Sequence, residues 1–189
     1  MSKSRNGQRI SISYVIVAVG VVVLLGGFIA LVLIDRGQRT ASGPPSGVEN
    51  IKVGPSGQHT ESPVKYAQAP PAGGKHNPVW QNCGFYSKPV PNETSVHSLE
   101  HGAVWITYQP NLPKDQVSKI KDMADSKSYV LASPYKGLPS PVVASAWGKQ
   151  LRLDSTKDPR LQQFIRYYSQ GPQTPEPGAA CTGGVGNPG

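Results

Sequence analysis

The sequence predicts an α+β domain, a small mixed or antiparallel sheet with two or three short helices, carried behind a single N-terminal transmembrane helix. Three observations lead there. Residues 10–34 form an uncharged run rich in Val, Ile, Leu, Gly and Ala, and about 20 such residues span a bilayer. Beyond it, short β-prone runs and amphipathic helical patterns follow one another without a strict βαβ alternation. The chain also holds 21 Gly and 19 Pro in 189 residues, which shortens its elements and enlarges its loops.

Taken in order, residues 1–9 read as a cytoplasmic tail. Lys3, Arg5 and Arg9 precede the apolar run, while Asp35, Arg36 and Arg39 follow it. This balance favours the N-terminus inside and places the rest at the cell membrane, single-pass and extracytoplasmic. The run exceeds a signal-peptide core, and no convincing cleavage site follows it closely. Residues 35–61 have almost no apolar side chains to offset the cost of ordering, and they read as a disordered linker in which His59 is a minor ligand candidate. Residues 62–181 form the domain and 182–189 a flexible tail. About 120 residues suffice for one core and not two.

Within the domain, Val64-Lys65-Tyr66-Ala67 alternates as a short edge strand. A Pro/Gly-rich loop then carries His76, Trp80 and Cys83. Asn92 is positioned as an N-cap, Glu93 complements the helix dipole, and Gly102 offers a left-handed stop, predicting a helix over 93–101. Ala103-Val104-Trp105-Ile106-Thr107-Tyr108 is a central strand. Residues 112–123 place Val117, Ile120 and Met123 on one helical face. Strands follow at 129–132, 142–147 and 150–153, the last two joined as a hairpin around Gly148-Lys149. Asp158-Pro159 opens a last helix through Tyr168, with Leu161, Phe164, Ile165 and Tyr168 inward. Helices are expected on one face of the sheet.

The formal charge of +8 does not mark a nucleic-acid binder. After Ile34 the count is 16 Lys/Arg against 11 Asp/Glu, scattered singly and without a basic run. The two cysteines, Cys83 and Cys181, are an even pair in a segment assigned to an oxidising compartment, so a disulfide is expected, with free thiols or a soft metal ligand as the alternatives.

Chemistry concentrates in Val96-His97-Ser98-Leu99-Glu100-His101-Gly102. Two of the four histidines lie four residues apart with a glutamate between them, so His97, Glu100 and His101 share one helical face. Imidazoles at i and i+4 can chelate a first-row transition ion, and the open loop can bring His76 over them as a third ligand. Glu100 is then a fourth ligand, or it fixes the tautomer of a ligating imidazole. The expected function is a membrane-tethered domain binding copper or zinc, for metal handling or as a structural ion. The competing reading has these histidines packed without metal, and the domain serving as an envelope interaction module with Trp80, Phe85 and Tyr86 as a docking face for another envelope protein. The letters H-x-x-E-H also match an inverted zinc-peptidase pattern, a weaker reading because no third acidic ligand is identifiable. No serine elbow, phosphate loop or dinucleotide fingerprint is present, and no catalytic residue is assigned.

Several spaced motifs agree on one family. Pro70-Pro71-Ala72-Gly73-Gly74-Lys75-His76-Asn77-Pro78-Val79-Trp80, Cys83-Gly84-Phe85-Tyr86, the histidine stretch through Trp105, Ala146-Trp147-Gly148 and Pro175-Glu176-Pro177-Gly178 resemble the bacterial family catalogued as domain of unknown function 3105. The resemblance spans about residues 63–181. It implies a membrane-tethered or secreted actinobacterial-type domain and brings no established reaction.

Overall fold

A computed structural model describes residues 12–41 and 43–189, in two compact units, Met1–Ala41 and Ser42–Gly189. The first unit contributes the helix α1 (Ile12–Ala41). Among the described residues no helix is long and apolar enough to cross a membrane. This corrects the transmembrane helix expected over 10–34, and with it the single-pass anchor and the membrane localisation. The tail expected over 1–9, whose charges oriented that anchor, lies outside the described residues.

The second unit is a mixed α/β fold around a six-stranded sheet. Its strands are β1 (Glu49–Asn50), β2 (Gly84–Phe85), β3 (Val104–Tyr108), β4 (Val130–Pro134), β5 (Val142–Ala146) and β6 (Lys149–Leu153), in spatial order β1-β6-β5-β3-β4-β2. β4 runs parallel to both β3 and β2, and the remaining pairs are antiparallel. The parallel β3/β4 pair requires a crossover, and the helix α3 (Lys114–Asp125) supplies it. The β5/β6 pair is a hairpin turning at Trp147-Gly148, with Gly148 at φ +66.

Side-chain alternation along β3 separates two cores. Val104, Ile106 and Tyr108 face α3 and the helix α4 (Pro159–Tyr168), packing with Ile120, Leu161 and Phe164. Trp105 faces the opposite side, with Leu131, Val96, Leu99 and the two cysteines, beneath the helix α2 (Asn92–Glu100). The sheet is therefore covered on both faces, where one was expected. Phe164 has no exposed surface, so Phe164→Ala is expected to cost about 3–5 kcal/mol in a denaturant titration. A loss below about 1 kcal/mol would mean that α4 contributes little to this core.

Other expectations change for identifiable reasons. Residues 64–67 form no strand: the Val64 N–H donates to the Glu93 carboxylate at 3.0 Å, which ties the segment to α2 rather than to the sheet. Pro91, not Asn92, occupies the N-cap of α2, without a side-chain cap bond. The segment read as a linker is ordered from residue 43 onward, because β1 adds to the edge of β6 and residue 59 forms a bridge to residue 76. Low apolar content concealed this, since backbone pairing needs no side chains. The tail read as flexible is likewise paired, with Asn82 N–H donating to Val185 C=O at 2.9 Å and Gly189 N–H to Phe85 C=O at 3.0 Å.

Candidate metal centre

Every side chain of α2 from Thr94 to Glu100 is buried, and His97, Glu100 and His101 emerge at its C-terminal end. Gly102 stops the helix at φ +92, where a Cβ would fall 2.5 Å from Gln170 Nε2 and 2.8 Å from the Thr174 side chain. The segment after α4 can therefore close against the histidine turn. Gln170 N–H donates to Gly102 C=O at 2.9 Å, and the Gln170 side-chain amide donates to His101 C=O.

Three histidines share one device. His76 Nδ1 lies 2.8 Å from Gly74 C=O, His97 Nδ1 2.6 Å from Asn77 C=O, and His101 Nδ1 2.6 Å from Ala180 C=O. A carbonyl only accepts, so each Nδ1 carries the proton. In the neutral ring each Nε2 then holds a bare lone pair. The His97 and His101 Nε2 atoms face each other at 2.9 Å, two lone pairs that repel unless a proton or a cation lies between them.

His76 Nε2 and Glu100 Oε2 are 2.8 Å apart with both side chains wholly buried, yet neither atom has a hydrogen-bond partner. Their separation lies within ion-pair range, yet no hydrogen bond joins them. The other Glu100 oxygen is satisfied, since Oε1 accepts the Gly57 N–H at 2.7 Å. His59 completes the group: its backbone bridge to His76 sets the rings edge-on at 4.9 Å, and it stacks on His97 at 5.0 Å with planes 17° apart. His59 Nε2 is 3.8 Å from Glu100 Oε2, and its side chain is 42% exposed.

Candidate donor atoms of His59, His76, His97 and Glu100 all lie within 4.8 Å of one another, and so do those of His97, His101 and Glu176. The set expected from sequence, His76, His97, His101 and Glu100, is thus divided. His76, His97 and Glu100 converge, while His101 stands on the other side of His97 with Glu176. That division weakens the peptidase pattern, which needs Glu100 beside an ion held by both His97 and His101. Ser98 donates from Oγ to Gln81 C=O at 2.6 Å, a structural bond.

Sequence reasoning gave His59 little weight and assigned Glu176 no role. Nothing near His59 signals a ligand, because its register against residue 76 is set by long-range pairing. Glu176 lies in the Pro175-Glu176-Pro177-Gly178 motif, a rigid acidic turn that could have been singled out. The proposed docking aromatics are not a surface: Phe85 stacks on Tyr108 in the core, Tyr86 is buried with its hydroxyl donating to Asn82 C=O at 2.9 Å, and Trp80 is half-buried against His97 and His101. The expected disulfide is present, joining Cys83 and Cys181 across a separation of 98 residues.

Burial, then the neighbouring His101, His76 and His59, hold the His97 imidazole down at about 4, against the partial offset of its bond to Asn77. Above about pH 6.5, the ordinary histidine value, neither folded nor unfolded chain holds this proton. Between there and about 4 only the unfolded chain takes it up, so stability is expected to fall with pH across that window, by up to about 3 kcal/mol from this residue. Denaturant titrations of wild type and His97→Gln at pH 7 and pH 4.5 check this. An equal pH dependence in both would remove His97 as the source.

No curated protein and no solved structure matches the chain. The family match over residues 58–183 covers more than half of the chain and takes in both groups, from His59 to Glu176. On that match, the chain belongs to the family described as Protein of unknown function (DUF3105).

Proposed function

We propose that this domain binds one transition-metal ion through His59, His76, His97 and Glu100. The observation that carries the reading is the pair of orphaned acceptors, His76 Nε2 and Glu100 Oε2, buried and 2.8 Å apart without a hydrogen bond. A buried carboxylate oxygen left unpaired costs several kcal/mol, and a cation between the two atoms removes that cost. Metal bonds of about 2.0–2.1 Å would meet at about 85–90°, and an opening of about 0.5 Å would bring them to tetrahedral. The carbonyls that fix each Nδ1–H are the outer partners that orient ligating imidazoles.

Imidazole and carboxylate donors suit zinc or copper(II), and the cysteines, joined in the disulfide, offer no thiolate for a softer ion. The disulfide fits an oxidising compartment. Burial of Phe85 and Tyr86 leaves the docking-module reading without its face.

The test is calorimetry with zinc and with copper(II) on wild type, His76→Ala and Glu100→Gln, with circular dichroism to establish folding. Wild type should take up one ion per chain. Loss of an outer partner costs about 10- to 100-fold in affinity, and loss of either direct ligand should cost at least as much. Absence of binding by folded wild type, or equal binding by folded variants, would overturn the proposal.

A further inference from the structure

The geometry points to a second, outer metal position formed by His97, His101 and Glu176, which shares His97 with the inner one, so that a single ion exchanges between two positions. The inference rests on the inner position proposed above. His97 belongs to both groups of converging donors. Its Nδ1 is committed to Asn77 C=O, so only Nε2 remains, with one lone pair and room for one ion. That lone pair lies 2.9 Å from His101 Nε2, which in turn lies 3.5 Å from Glu176 Oε2. An ion at about 2.0–2.1 Å from both nitrogens would subtend about 90°, as acute as at the inner pair.

The two positions differ in their surroundings. Glu100 and His76 have no exposed side-chain surface, whereas the Glu176 side chain is 48% exposed. The backbone that carries the outer carboxylate is nevertheless held in place. Glu176 N–H donates to Glu100 C=O at 3.1 Å, and Gly178 N–H donates to Gln170 Oε1 at 2.6 Å. One backbone bond therefore links the inner carboxylate residue to the outer one. The inner set has four donors and the outer three, so the ion rests inside and uses the outer position when the inner is depleted.

A double-mutant cycle tests this, with copper(II) as the probe, followed by calorimetry and electron paramagnetic resonance. Glu176→Gln is placed in wild type and in a background of His59→Ala with Glu100→Gln. That background keeps an oxygen for the Gly57 N–H and changes only one fully buried side chain, and circular dichroism establishes that it folds. In wild type, Glu176→Gln should change affinity by less than about 3-fold. In the depleted background the ion should show two-nitrogen coordination, and the same change should cost about 10-fold or more, the loss of a ligand. Equal effects in both backgrounds, or two ions bound to wild type, would overturn the shared outer position while leaving the inner one standing. Absence of copper(II) binding by wild type would overturn both.

Discussion

Loading the folded domain with zinc or copper(II) to about a thousandfold excess over the dissociation constant is expected to raise its unfolding midpoint by about 10 °C. An ion that binds only the folded chain contributes about 4 kcal/mol at that excess, and about 2–4 °C per kcal/mol is typical for a domain of this size. The folded chain alone assembles the donors, because they come from three distant segments: His59 and His76, paired through their backbones; His97 and Glu100 on α2; and Glu176 near the C-terminus. Unfolding scatters them over more than a hundred residues. Scanning calorimetry with and without ion, and with a chelator, measures the shift. A midpoint that stays fixed under saturating ion would mean that the unfolded chain binds equally well, and the converging lone pairs would not be a preformed site. Acidification should reverse the shift, since protons compete with the ion for each imidazole.

Removing the disulfide is expected to cost about 4–5 kcal/mol and to loosen the side of the site that holds His101. On the chain-entropy model a bridge closing about 100 residues removes that much freedom from the unfolded chain, and here the separation is 98. The local consequence follows from position. Ala180, next to Cys181, supplies the carbonyl that fixes His101, and Tyr129 Oη donates to the neighbouring Ala179 C=O at 2.9 Å. Cys83 N–H donates to Cys181 C=O at 2.7 Å, so the bridge and a backbone bond fasten the same point. Denaturant titration of a Cys83→Ser/Cys181→Ser variant, with hydrogen exchange at Val185 and Gly189, measures both effects. A loss under about 1 kcal/mol with unchanged exchange would show that the backbone bonds alone hold the tail.

Much of the local structure was legible in the chain. Gly102 stops α2 because only a residue without Cβ fits beside Gln170 and Thr174. Asp158 caps α4 by accepting the Arg160 N–H at 2.9 Å, and its inward residues are the four that the helical period selects. The spacing of His97, Glu100 and His101 put them on one face, and the even cysteine count anticipated the bridge. Each of these is a matter of near neighbours or of elementary pairing.

The tertiary structure decided what distant segments do to one another. Helical spacing brings His97, Glu100 and His101 to one face, but it cannot say that Glu100 turns toward His76 while His101 turns toward Glu176. That depends on Gly57 and Ala180, which hold the two side chains from opposite ends of the sequence. Composition marked residues 35–61 as too poor in apolar side chains to order, and from residue 43 onward they add little to either core, with Val48 and Val53 partly buried against the two clusters. They are ordered through backbone pairing at the edge of β6 and beside residue 76, which costs no apolar surface and leaves no trace in hydropathy. The same long-range pairing carries His59 into the cluster, a ligand position determined by register rather than by any pattern in the residues around it.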